Sequence, residues 1–475
     1  MSSPQKEKYL ILVTGAIGFL LMLWWWMYNP VESFTRSIPG MDDRPDSLSE
    51  TSEVVCIGES FQLFAEEEFH LKGSWPHFRG ADFDNICKDS TPLIDHFDEG
   101  DNNVLWKIDL GEGHAAPVIH KGKVYLLDYL EKEKMDALRC FSLETGKELW
   151  RRSYSVHVKR NHGMSRTVPA ITDDYVVTIG PLGHVMCCDP ANGDLLWGID
   201  LVKDYQTEIP FWYTGQCPLI DSGLAIIAPG GKSLLIAVDC ASGKIVWETP
   251  NPDHWQMSHS SIMPMTLNGK DMYVYAAVGG ICAVSSKGDD RGSVLWKLID
   301  FAPNVVAPSP LIFPDGSIFM TAGYGAGSIL FKIIEEQGQY STKVLQQFKP
   351  KEGVASEQQT AIYWNSHVFI ILPKDAGMNR NQLACCLPDD GQKILWTSGK
   401  DQRFGLGPYI IADGKFFIVS DDGTLTIATA STSGFFVLDK RRIIEGQDAW
   451  GPIAIADGRL LMRDSKQMVC LDIRK

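Results

Sequence analysis

A tryptophan recurs along this chain at a nearly constant interval, and that recurrence limits the folds open to it. TGKELW ends at Trp150, NGDLLW at Trp197, SGKIVW at Trp247 and GSVLW at Trp296, each Trp four residues after a Gly. DDGQKILW at Trp396 carries one extra residue, SGFFVL puts Leu438 in the Trp position, and NNVLW at Trp106 opens the series. Successive intervals are 44, 47, 50, 49, 100 and 42 residues, so one unmarked unit lies between Trp296 and Trp396. Eight outer strands follow from this count. A repeat of this length marks a unit that buries its apolar face only against its neighbours.

Two further markers define the unit. Proline followed by apolar residues recurs at Pro117, Pro169, Pro218, Pro264, Pro310, Pro408 and Pro452. Proline inside a recurring β segment suits an edge strand, where its missing N–H costs nothing. A tight turn followed by an apolar run recurs as KGKVYLL, DDYVVTI, SGLAIIA, PDGSIFM, ADGKFFI and ADGRLLM. Each unit thus reads as four antiparallel strands, and the whole as an all-β, eight-bladed propeller. After Leu438 only three strands remain, and the strand at 104–110 has no inner strands of its own. Joining the two completes the last blade over 104–475 and closes the ring.

The N-terminus is different in kind. Tyr9 to Tyr28 is a 20-residue run without charge, about 30 Å long as a helix, which matches a bilayer core. Trp24, Trp25, Trp26 and Tyr28 crowd its end, where amphipathic rings favour the headgroup region. The missing small-residue cleavage pattern argues against a removed signal peptide. Residues 1–8 then form a short tail, 9–28 a transmembrane anchor that binds the membrane, and 29–72 a tether with one short helix at 57–69. Ser74 to Ile86 is too aromatic for a free linker, and residues 73–103 are expected to pack on the propeller. Lys6 and Lys8 on one side and Arg36 and Arg44 on the other leave the orientation undecided by charge.

Composition narrows the function. Lys+Arg 44 against Asp+Glu 59 gives a net charge of −15 with no long basic run, so nucleic acid is not an expected partner. The 11 cysteines include the pairs Cys187–Cys188 and Cys385–Cys386. Cys140, Cys187, Cys282 and Cys385 each stand six residues before a turn glycine, a slot that Ala237 and Ala428 also fill. Small-residue packing is the reading of that slot. There is no C-x-x-C-H, and hence no site for covalent haem.

The segment AVDCASGKIVW, Ala237 to Trp247, resembles the tryptophan-docking repeat of pyrroloquinoline quinone (PQQ) propellers, and the segments ending at Trp150 and Trp197 are similar. The resemblance covers 104–475. It implies that Trp106, Trp150, Trp197, Trp247, Trp296 and Trp396 pack between blades. The family holds PQQ-dependent dehydrogenases and BamB-like members without catalysis. Residues 37–45 and 73–86 also resemble segments of anchored bacterial PQQ-like proteins. Exported relatives imply an inner-membrane, single-pass chain with its propeller on the periplasmic side. For catalytic members the resemblance implies PQQ with calcium, held by carboxylate and amide oxygens beside a cysteine pair. Neither cysteine pair here matches that position. Glu357, Asn161, Asp401 and Asp448 stand near inner-strand starts, but no motif places them as calcium ligands or base.

The connections from each outer strand to the next inner strand are long and chemically rich: 155–166, 207–216, 251–260, 399–405 and 445–450. In a propeller they open on one face around the channel. A ligand site is therefore expected from Arg166, Trp212, Tyr213 and Gln216, together with Trp255, His259, Arg403 and Trp450. Such groups suit a small anionic or planar ligand, while the aromatic rings could instead plug the channel. His157/His162 and His254/His259 lack a third ligand at fixed spacing and are weak as a metal motif. The reading favoured is a membrane-anchored ligand- or protein-binding scaffold of the cell envelope, with envelope proteins as further candidate partners. The alternative is a PQQ-dependent oxidoreductase passing electrons to membrane quinone. A hydrolase or lyase would need a nucleophile–base pair, and none is visible.

Overall fold

The computed structural model describes residues 3–28, 55–100, 103–446 and 448–475. The tether expected over 29–53, with the family-like segment 37–45, lies outside the described residues. The N-terminal unit is a helix, Ser3–Met27. Its stretch Lys8–Met27 is long and apolar enough to cross a membrane. Thr14 donates its hydroxyl to the Leu10 carbonyl at 2.8 Å, so this polar group is satisfied within the helix itself.

The second unit, from Val54 on, is a ring of eight antiparallel sheets. Blade 1 is built on Val118–His120, Lys123–Leu130, Met135–Ser142 and Glu148–Ser155. Blades 2 to 7 follow in chain order over 170–200, 219–250, 263–298, 311–348, 362–397 and 409–442. Blade 8 takes three strands from 454–472 and its fourth, Val104–Asp109, from the start of the propeller. Buried apolar residues fill both faces of each blade, because each blade is covered by a neighbour on either side.

One backbone irregularity recurs in every blade. The ladder between the third and fourth strands slips by one residue, a β-bulge that bends the outer strand. At the slip the tryptophan faces a small residue: Cys140 faces Trp150, Cys187 faces Trp197, Ala237 faces Trp247, Ala283 faces Trp296, Cys385 faces Trp396 and Cys470 faces Trp106. In blade 4 the slot is therefore Ala283, one residue beyond the expected Cys282. In blade 5, the unmarked unit, Gln346 stands opposite Leu330. In blade 7 Asp439, not Leu438, stands at the slip.

Each tryptophan ring reaches the next blade. The Trp106, Trp150, Trp197 and Trp247 rings lie against the turn glycines Gly146, Gly193, Gly243 and Gly292. Gly193 shows why the turn needs glycine: its φ is +74°, and a Cβ there would stand 2.7 Å from the Trp150 ring. Indole N–H groups add bonds across the seam, Trp106 to the Leu143 carbonyl at 2.9 Å, Trp197 to Cys240 at 2.8 Å and Trp396 to Thr432 at 3.0 Å. Gln346 makes the equivalent reach with its amide, to the Asp389 carbonyl at 2.9 Å.

The segment before the ring adds two features. Where a short helix is expected over 57–69, the structure has a strand, Ser60–Leu63, paired antiparallel with Trp150–Ser153 on the outer edge of blade 1. Arg152 and Arg151 lie over the Phe61 and Phe64 rings, at 4.6 and 5.2 Å. The chain then enters the central channel. Ser74–Trp75 pairs with the innermost strand of blade 1, and Ile86–Cys87 pairs parallel with that of blade 7. Between them, Ile171 of blade 2 donates its N–H to the Pro76 carbonyl at 2.9 Å, and Arg79 donates to Ala361 of blade 6 at 3.0 Å. This segment, 74–87, plugs the channel.

Candidate functional site at the mouth of the channel

All eight outer-to-inner crossings converge on one cavity of about 350 Å³, within the range of small-molecule sites. His114 comes from the crossing into blade 1, Arg166 from that into blade 2, Trp212 into blade 3 and His259 into blade 4. Val305 and Ala307, Glu357 to Gln359, Leu406, and Asp448 with Trp450 complete the circle. Two residues come instead from turns between the second and third strands, Tyr324 in blade 5 and Lys374 in blade 6. Phe78 of the plug also lines the cavity.

Below the mouth a belt of hydrogen bonds ties successive blades. Val168 donates its N–H to Cys217 Sγ at 3.2 Å, Cys217 to Ser261 Oγ at 3.0 Å, Ser261 to Ser309 Oγ at 2.9 Å and Ser309 to Thr360 Oγ1 at 2.8 Å. Each donor stands at the start of an inner strand and each acceptor at the same place in the next blade. The rigid belt fixes the roots of the crossings that carry the cavity side chains.

Of the eight residues expected at a ligand site, the structure brings four together: Arg166, Trp212, His259 and Trp450. The other four stand elsewhere. Tyr213 is buried and donates its hydroxyl to the Lys159 carbonyl, holding the first crossing in place. Gln216 is fully buried, with its amide bonded to both the N–H and the carbonyl of Ala228 at 2.9 and 3.0 Å. Trp255 packs its ring onto Gly279 and Gly280 within blade 4. Arg403 donates to the carbonyls of Lys400, Arg380 and Met378, tying surface loops. Spacing along the chain placed all eight near the mouth, but the direction of each side chain is set by contacts the sequence does not display. Lys374 and Tyr324 lie on connections between second and third strands, outside the crossings that the repeat singles out.

Two aromatic pairs wall the cavity. Trp212 and Tyr324 stack at 5.6 Å and 15°, and His114 and Trp450 at 3.4 Å and 17°. The Arg166 guanidinium lies 5.7 Å from the Trp450 ring and donates to the carbonyls of Asn161 at 3.0 Å and His162 at 2.6 Å. Burial pushes its pKa down to about 10, with smaller opposing contributions from Tyr213 and Tyr324. His114 is pushed down to about 2 and His259 to about 4, in both cases first by burial and then by nearby arginine charge. Both imidazoles are thus neutral near pH 7. Glu357 is buried and accepts from Lys374 Nζ at 2.9 Å.

The sequence model of the family described as outer membrane protein assembly factor BamB matches residues 90–211 and 183–332, just over half of the chain. The chain belongs to this PQQ-like propeller family. Its members differ widely in sequence. A quinoprotein alcohol dehydrogenase, PedH of Pseudomonas putida, is 24% identical over 355 residues, covering 70% of this chain. The match spans 56% of the length of that enzyme. Among solved structures, BamB from Moraxella catarrhalis aligns with a TM-score of 0.51 at 12% identity, over 78% of this chain and 99% of its own. A europium-containing methanol dehydrogenase aligns with a TM-score of 0.53 at 12% identity, over 84% and 89%. The likeness to these structures is one of fold.

The cavity's donor set does not fit a quinone held beside a hard cation. Calcium takes six to eight oxygens, yet Glu357 and Asp448 are the only carboxylates that line the cavity among the described residues. Among the described residues, no group of three His, Cys, Asp or Glu gathers for a metal ion. The cysteine pairs lie inside strands 184–188 and 383–387, away from the cavity. Burial pushes Cys188, Cys385 and Cys386 up to about 12, so these are inert thiols.

Proposed function

We propose that this chain is a membrane-anchored binding propeller of the cell envelope, held at the inner membrane by residues 9–28 with its propeller on the periplasmic side. Its loop-face cavity engages a small anionic or planar ligand, or the matching group of an envelope protein. The carrying observation is Arg166. Its guanidinium lines a cavity that Phe78 of the plug also lines, and its hydrogen bonds go to the carbonyls of Asn161 and His162, with no ion pair to a carboxylate among the described residues. A desolvated cation without a carboxylate partner is costly for a fold and useful for an anion. The aromatic walls suit a flat body. The BamB-like relatives support the scaffold side of this reading, and PedH supports the oxidoreductase alternative.

Titration of the full chain in detergent with 2-naphthoate, a planar anion, followed by tryptophan fluorescence, tests the site. Saturable quenching is expected, with affinity at least about tenfold weaker in Arg166→Ala and His259→Ala and the melting temperature nearly unchanged. Equal affinity in the parent and both variants, or loss of stability with binding intact, would contradict the assignment.

A further inference from the structure

The charges at the mouth are sorted by side. On the side of blades 1 to 4, Arg166 is the one charged side chain lining the cavity among the described residues, beside the rings of His114 and His259. Around blades 6 to 8 the field is negative. Glu357 and Asp448 line the cavity, and both raise the pKa of Asp421 behind them, which burial first and these acids next push up to about 6. Lys374 occupies one oxygen of Glu357, but its ammonium is largely exposed and can move, whereas Glu357 is buried and its second oxygen has no donor. Asp448 is exposed. Tyr324, stacked on Trp212, stands within the influence of both Glu357 and Arg166.

We infer that the cavity takes a zwitterion, a small molecule whose carboxylate meets Arg166 and whose protonated amine meets Asp448 and Glu357, as in a free amino acid or a dipeptide. The inference deepens the ligand-binding reading and rests on it. A plain anion gains Arg166 but faces the acids of blades 6 to 8; a plain cation meets the reverse. Only a molecule carrying both charges matches both walls, and electrostatic matching of this kind selects among ligands of one size. The volume accommodates a dipeptide, with an aromatic side chain against the Trp212–Tyr324 stack.

Calorimetric titration of the full chain in detergent with glycyl-phenylalanine, its N-acetyl form and its C-terminal amide separates the two ends. The dipeptide is expected to bind about tenfold more tightly than either blocked form. Asp448→Asn should bring dipeptide affinity down to that of the N-acetyl form and leave the latter unchanged. Arg166→Gln should do the same relative to the amide. Asp448 is exposed, so its replacement does not threaten folding, and Glu357→Gln, checked for an unchanged melting temperature, should behave like it. Equal binding of the dipeptide and the N-acetyl form, with both lost in Arg166→Gln, would overturn the zwitterion while leaving an anion site intact. Absence of binding by all three probes at millimolar concentration would overturn it as well, and the naphthoate titration then decides whether the binding reading survives.

Discussion

Trp150 and Asp136 show how single residues carry this structure. Trp150 is almost fully buried between blade 1 and the Gly193 turn of blade 2. Trp150→Ala should cost about 3–5 kcal/mol, measured by denaturant unfolding, because the cavity it leaves is walled by two rigid sheets. A loss below about 1 kcal/mol would mean the seam does not rest on the ring. Asp136 has no exposed surface, accepts from the Tyr154 hydroxyl at 2.7 Å, and is pushed up to about 7 by burial. Between about pH 4 and 7 the folded chain therefore holds a proton that the unfolded chain has released, so this group lowers stability as pH rises through that window. Asp136→Asn should lose less stability than the parent between pH 4 and 7. Parallel pH profiles would contradict the assignment. The tryptophans could be read from sequence because their spacing repeats. Asp136 and the Ser261–Ser309–Thr360 belt could not, since a buried Asp or Ser has no periodic signature.

The elements before the ring show where local pattern yields to tertiary context. Ile57, Phe61, Ala65 and Phe69 recur at helical spacing, yet 60–63 is a strand, because the open edge of blade 1 offers a ladder of unpaired backbone groups that a free helix cannot match. Residues 73–86 were expected to pack on the propeller, and the structure shows where: inside the channel, along blades 1, 2, 6 and 7. The plug's Phe78 lines the cavity from below, near Cys217, whose thiol burial pushes up to about 11. Phe78→Ala should open that floor and raise the alkylation rate of Cys217 several-fold, followed by peptide mass mapping. An unchanged rate would show that Phe78 does not seal the cavity.

At the scale of the molecule, the ring is legible because every unit repeats the same problem of covering two apolar faces. The unit without a tryptophan stayed hidden because Gln346 replaces indole packing by an amide hydrogen bond. Closure by Val104–Asp109 places Trp106 against Gly146 of blade 1, while Leu105 remains 40% exposed. Deleting 104–109 should therefore cost several kcal/mol through Trp106 and the lost ladder; an unchanged melting temperature would refute the closure. Residues 9–28 should persist in the mature protein, and an N-terminal sequence beginning after residue 28 would refute the anchor. The mouth of the ring was legible as a face but not as a set of contacts, because Tyr324 and Lys374 reach it from connections between second and third strands rather than from the crossings.

We propose that this propeller binds rather than oxidises. Its most direct test is absorbance titration of the full chain with PQQ in the presence of calcium, repeated with europium. No saturable, metal-dependent quinone spectrum is expected, because Glu357 and Asp448 are the only carboxylates lining the cavity among the described residues and the cysteine pairs are sealed within blades. A saturable spectrum with one quinone per chain that disappears when the metal is chelated would contradict it and return the chain to the oxidoreductases.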